Sequence, residues 1–277
     1  MYRRFARALL LSTVAIFCGA HIVRAEDAPV QIFAAGSLRG VVGELAAAVG
    51  PALKIELLPS FGGSGSLRER VENGARPDLL LSADLASPRS LAASGRTIVP
   101  AIAFGRNRLC LVSRRALGIT TSNLVDRLLE PGTRIKTSTP VADPAGDYAW
   151  AVFDHIDRLR PGAGAVLKAK AETLMNAAAT PATATPSAAA ALFLANRIDV
   201  TVTYCSAAAG LLQEVPELTS LDIPAALDPR PVYGLALLSS RPAAMQVALF
   251  LLSDKGQAIL QRNGLLPGLE AASPDGR

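Results

Sequence analysis

Apolar residues recur along this chain in two alternating rhythms. Short β-rich runs at 30–35, 54–58, 79–82, 109–113, 134–137, 199–204 and 232–238 read as strands. Helical spacing fills the stretches at 38–49, 67–72, 88–94, 148–159, 243–252 and 255–263. The strand rhythm is clearest where Val200, Val202 and Tyr204 alternate with Thr201 and Thr203. Gly95 closes one helix and Pro161 stops another. Strands alternating with helices predict an α/β chain, its sheet covered by helices on both faces. One segment breaks the rhythm: residues 177–191 read AAATPATATPSAAAA, and Pro181 and Pro186 forbid a helix in its first part. A surface loop is expected there, running into a helix that begins near Ser187. The chain has no internal repeat.

The first 25 residues follow another logic. Arg3, Arg4 and Arg7 precede an apolar stretch at 8–20, and Val23-Arg24-Ala25 offers small residues for cleavage before Glu26. This is the pattern of a secretory signal, cleaved after Ala25, and it predicts a soluble periplasmic protein. Thirteen apolar residues fall short of the roughly 20 that a spanning helix needs. Cys18 follows Phe17, where a lipoprotein site would have a small residue. The chain's length of 277 residues suits one large domain or two small ones. Its formal charge of +5 hints at a nucleic-acid partner. Four arginines of that charge sit in the leader, however, and without them the net charge is +1. No nucleic-acid partner is expected.

Beyond the leader the chain keeps two cysteines, Cys110 and Cys205, and one histidine, His155. An oxidising compartment permits a disulfide, but two residues do not establish one, and two buried free thiols are the expectation. A lone histidine excludes zinc sites built on histidine clusters. Set among Phe153, Ile156 and Leu159, His155 reads as structural.

Candidate chemistry gathers at two strand-to-helix junctions. Ala34-Ala35-Gly36-Ser37-Leu38 follows the first strand, and Phe61-Gly62-Gly63-Ser64-Gly65-Ser66 follows the second. In open α/β sheets ligands bind beyond the carboxyl ends of the strands, where helix N-termini offer free N–H groups to anions. The glycines let backbone approach a ligand, and Ser37 and Ser64 add hydroxyl donors. Taken singly, each serine is also a common helix cap. Neither junction carries a nucleophile elbow, since Ser66 stands where its last glycine belongs, and no lysine follows to make a phosphate-binding P-loop. No enzymatic activity is expected. A secreted serine hydrolase is the remote alternative.

These residues resemble the periplasmic molybdate-binding proteins of ABC importers. The likeness is carried by residues 30–38 (VQIFAAGSL), by Phe61 to Leu67 with ERVENGARPDLLLSA and Asp84, and by the DPAGDYA loop at 143–149. Val202-Thr203-Tyr204, Val232-Tyr233-Gly234-Leu235-Ala236 and FLLSDKGQ at 250–257 extend it over almost all of the chain after the leader. The resemblance implies a type II periplasmic-binding fold of two α/β lobes, residues 26–106 plus 230–277 and residues 107–229. Two crossing strands would join them, and a hinge would close them on the anion. It also implies a monomer without a cofactor that captures molybdate or tungstate and delivers it to a membrane permease. Sulfate or another small anion is the alternative ligand. The oxyanion would be held by Ser37, Ser64, a backbone N–H at Ala145 and the hydroxyl of Tyr204, and these same contacts are the only ones expected to the metal centre. The fourth donor falls at Pro186, which has no N–H, so Ser187 is expected to substitute.

Such a site has a chemical rationale. Molybdate is a tetrahedral dianion whose oxygens only accept hydrogen bonds. Donors alone match it, whereas hydrogen phosphate must also donate, and a pocket without an acceptor leaves that proton unpaired at about 1–3 kcal/mol. The expected site therefore contains neutral donors and no facing acid, with Asp147 turned away. Arg39, two residues beyond Ser37, reads as a solvated helix residue or a charge at the rim.

Overall fold

The computed structural model describes residues 28–174 and 186–268, so the leader and most of the Ala/Thr/Pro segment lie outside the described residues. Among the described residues, eleven strands form two sheets. The first, six-stranded, contains β1 (Val30–Ala35), β2 (Leu57–Gly62), β3 (Leu79–Ser82), β4 (Ile102–Arg106), β10 (Val232–Leu237) and β11 (Leu266–Pro267), in the order β11-β4-β10-β3-β1-β2. The second, five-stranded, contains β5 (Leu109–Arg114), β6 (Ile135–Ser138), β7 (Glu172–Leu174), β8 (Val200–Tyr204) and β9 (Leu218–Asp222), in the order β7-β6-β8-β5-β9. The chain passes between the sheets at residues 107–108 and returns through 223–231, and the two crossings touch where the Asn107 N–H donates to Pro231 O at 2.9 Å.

The helices are α1 (Arg39–Leu53), α2 (Ser64–Glu72), α3 (Ala86–Ala93), α4 (Leu124–Leu129), α5 (Pro144–Leu159), α6 (Ala163–Lys170), α7 (Ala188–Leu194), α8 (Cys205–Glu214), α9 (Pro242–Leu252) and α10 (Asp254–Arg262). Amphipathic spacing buries one side of each. Val41, Val42, Leu45 and Val49 of α1 are all at most 1% exposed, against strands whose own Val30, Ile32, Leu79 and Leu81 are equally dry. Each such side chain contributes about 1.5–3 kcal/mol. No helix among the described residues is long and apolar enough to cross a membrane.

Two expectations need correction. The second strand begins at Leu57 and runs to Gly62, later than the run at 54–58 suggested. Lys54 adopts the left-handed conformation, φ 57°, and its N–H caps α1 through Gly50 O, so the helix consumes the residues before it. The cysteines are also bridged: Cys110 and Cys205 have Cα atoms 4.8 Å apart and share a disulfide. Cys110 faces Thr203 in the ladder between β5 and β8, and Cys205 begins the helix directly after β8. Sequence separation of 95 residues hid a pairing that sheet register imposes.

Candidate functional site

The two glycine- and serine-containing junctions lie side by side, because parallel pairing aligns Ala35 with Gly62 at the ends of β1 and β2. Ser37 sits in a single 3₁₀ turn before α1. Its hydroxyl lies 3.0 Å from that of Tyr233 at the start of β10. Ser64 opens α2 and is fully buried, and its oxygen accepts the Ala83 N–H at 3.0 Å, which leaves its own proton to donate. Arg39 lies over the Phe61 ring at 4.5 Å, tying one junction to the other.

Tyr204 arrives from the second sheet, at the end of β8. Its ring meets Tyr233 at 5.6 Å and Tyr148 of α5 at 6.3 Å between centroids, both edge-on. The Tyr204 hydroxyl is buried and has no hydrogen-bond partner among the described residues. A buried hydroxyl left unpaired costs about 1–3 kcal/mol, so this group stands open to a further partner. Burial pushes the Tyr204 phenol well up, and Tyr233, Asp143, Tyr148 and Asp84 add to the effect. Burial likewise pushes Tyr148 up to about 12, helped by Asp84 and Asp147. Tyr233 is raised for the same first reason. All three therefore stay neutral donors near pH 7.

The carboxylates depart from the expectation of an acid-free site. Asp84 and Asp143 stand close enough to act on Tyr204. Their oxygens, however, serve as caps. Asp84 accepts both the N–H and the hydroxyl of Ser87 at the start of α3. Asp143 accepts the Ala145 N–H at 3.1 Å and a bond from the Ser138 hydroxyl. Burial, the largest cause, holds the Asp143 carboxyl above its ordinary value, and Asp147 and Asp84 add to the rise. Asp147 is exposed and accepts the Val141 N–H at 2.8 Å, so it is turned to its own loop.

Two expected donors are engaged elsewhere. The Ala145 N–H is already given to Asp143. Asp143 followed by Pro144 is a helix-start signature in the sequence and identifies this cap. Ser187 caps α7, its oxygen accepting the Ala190 N–H, and its own N–H donates to Glu214 at 2.6 Å. Glu214 is the last residue of α8, a helix length away from Tyr204. Ser187 therefore stands outside the cluster, and Pro186 beside it is exposed.

The start of α2 touches the loop before α5. Ser66 donates its N–H to Ala142 O at 3.3 Å. A Cβ on Gly65 would lie 1.8 Å from Val141 O, a spacing only glycine permits. Val141 is itself held at φ 70°, unusual for a branched residue. His155, which reads as structural, bonds through Nδ1 to Leu227 O at 3.0 Å. A cavity of about 650 Å³ elsewhere is lined by Gln31, Arg76, Asp78, Arg96 and Arg241, at the amino ends of β1 and β3. That is the end opposite the strand–helix junctions, and its Asp78 is paired with Arg241 at 2.9 Å.

Comparison with known proteins agrees with this architecture. The model of the family described as bacterial extracellular solute-binding protein matches residues 30–266. Uncharacterized protein PM1146 of Pasteurella multocida is 34% identical over 240 residues, which is 86% of this chain and 98% of that one. Among solved structures, the periplasmic molybdate-binding protein of Azotobacter vinelandii superposes with a TM-score of 0.66 at 18% identity, covering 86% of this chain and 98% of that one. The sulfate-binding protein SubI of Mycobacterium tuberculosis gives 0.70 at 17% identity, covering 86% of each chain. At these identities the structures establish the type II periplasmic-binding fold alone. By the family match and its 34% identical relative, this chain belongs to the bacterial extracellular solute-binding proteins.

Proposed function

We propose that this protein, exported after removal of residues 1–25, captures a tetrahedral oxyanion, molybdate or tungstate, and delivers it to the permease of an ABC importer. The observation that carries the reading is the buried, unpartnered Tyr204 hydroxyl beside the Ser37–Tyr233 pair. Ser64, with its oxygen already accepting and its proton free, supplies a further donor on the neighbouring junction. Each charge-assisted bond contributes about 1.5–3 kcal/mol, so a few of them offset the cost of dehydrating the anion. Ala145 and Ser187 are left out of this contact set because their N–H groups are engaged. The caps on Asp84 and Asp143 turn those carboxylates away from the role of ligand acceptor.

Asp143 favours a second reading. Were Asp143 to leave its cap, its carboxylate beside Tyr204 would accept the proton of an anion such as hydrogen phosphate. Hydrolysis lacks support: no histidine accompanies the serines, and His155 is held by Leu227 O.

Calorimetric titration with molybdate, tungstate, sulfate and phosphate separates these readings. Tight binding of molybdate and tungstate with weak phosphate is expected. Heat from sulfate alone transfers the assignment to sulfate, and phosphate as the tightest ligand supports the second reading. Silence from all four removes the oxyanion reading.

A further inference from the structure

The first crossing between the sheets is two residues long, and Asn107, its first member, is only 2% exposed. Its amide has a fixed orientation, because the Arg108 N–H donates to Asn107 Oδ1 at 2.9 Å. Nδ2 therefore faces two hydroxyls, Ser206 Oγ at 2.8 Å and Tyr233 Oη at 3.1 Å. An amide nitrogen only donates, so both oxygens accept from it. Tyr233 is bonded to Ser37 as well. That pair owns two hydroxyl protons, and one of them fills the bond between the two oxygens. The other cannot go to Asn107 and is left for a partner outside the pair. Ser206 keeps its proton in the same way.

We propose that Asn107 is a positioning residue that sets the proton direction of hydroxyls on both sides of the cleft, the Ser37–Tyr233 pair and Ser206, so that they offer protons to the ligand. The inference rests on the oxyanion reading above and deepens it. Selectivity for anions that only accept then originates in a neutral amide that touches no ligand. Placement at the crossing is what makes this possible: Tyr233 belongs to β10 of the first sheet and Ser206 to the first turn of α8 beside the second. Ser206 becomes an additional donor, two residues after Tyr204 in sequence. The backbone of Gly264 packs against it, and a Cβ there would lie 3.2 Å from Ser206 Cα.

Asn107→Asp is the discriminating variant. It is nearly isosteric but accepts where asparagine donates, so it draws the Ser206 and Tyr233 protons to itself and turns lone pairs to the cleft. Affinities for molybdate and phosphate are compared at about pH 8, where both ligands carry two charges and the added carboxylate repels them alike. The expected result is a loss of about 100-fold or more for molybdate, with the molybdate-to-phosphate ratio moving about tenfold or more toward phosphate. Equal weakening of both ligands, the signature of a purely structural residue, overturns the proposal.

Should that variant not fold by circular dichroism, Tyr233→Phe and Ser37→Ala form a double-mutant cycle with molybdate as the probe. A combined loss smaller than the product of the single losses supports the relay, and a multiplicative loss overturns it. A wild-type protein that binds none of molybdate, tungstate, sulfate and phosphate removes the oxyanion reading and this one with it. Wild-type binding with an unshifted ratio removes only the role of Asn107.

Discussion

The two sides of the candidate site, one on each sheet, are built differently. On the first sheet, two successive strand-to-helix junctions present Ser37 and Ser64; Ser64 keeps its own proton to give, and the Ser37–Tyr233 pair keeps one between them. On the second sheet, the expected backbone donor at Ala145 is taken by an aspartate cap two residues earlier, and Ser187 spends both its N–H and its oxygen on capping and on Glu214. Tyr204 alone among the expected residues of that side remains open. A hydroxyl can serve a protein partner and a ligand together, whereas a backbone N–H has one proton and loses its role once a neighbour claims it. The second side is also cross-linked by the Cys110–Cys205 disulfide directly beside Tyr204, while the first relies on packing.

The sharpest way to probe this asymmetry is through the cross-link. Replacing both Cys110 and Cys205 with alanine should cost about 4 kcal/mol of stability, read by denaturant unfolding against an unreduced control. Gly65→Ala comes next. Its Cβ would meet Val141 O at 1.8 Å, so the halves should still fold but fail to close, and molybdate affinity should fall about 100-fold or more. A scattering radius that no longer shrinks on adding molybdate would accompany that loss. Tyr204→Phe should weaken binding by about 10- to 100-fold with little change in melting temperature, since its hydroxyl bonds to no described residue.

Smaller effects test the caps. Asp143→Asn keeps an acceptor for the Ala145 N–H but removes an ionisable group near the anion, and should tighten molybdate binding by about tenfold at pH values where that carboxyl is ionised. The sign with pH follows from the raised carboxyl. Because folding raises its pKa, the cost of its ionisation is absent below the unfolded value of 3.8 and appears as pH rises through the folded one. The advantage of Asp143→Asn, in affinity and in stability, should therefore shrink as pH falls through that window, as paired titrations and melts would show. Ser187→Ala should cost about 0.5–2 kcal/mol of stability through the lost cap and leave affinity unchanged. A large loss of affinity there would restore Ser187 to the site.

Much of the fold was legible because hydrophobic period is local information. The runs at 79–82 and 232–238 match β3 and β10 closely, and Ser187 does begin α7 as N-cap. Strand β4, with its weak alternation in Ile102–Arg106, and the alanine-rich α8 were not anticipated, since tertiary pairing and packing define them more than pattern does. Within the candidate site, Ser37, Ser64 and Tyr204 stood out in the sequence because each ends a strand or starts a helix. The contacts of Asn107, Ser206 and Tyr233 did not. They meet across 99 and 126 residues of sequence at the crossing between sheets, where only the folded chain brings them into reach.

The most direct test is a crystal structure of the protein with molybdate bound. Molybdate oxygens are expected within hydrogen-bond distance of Ser37 Oγ, Ser64 Oγ and Tyr204 Oη, with Asp143 still capping Ala145. A molybdate seated away from these three hydroxyls, or one contacted by the Ala145 N–H after Asp143 has swung aside, would contradict that expectation.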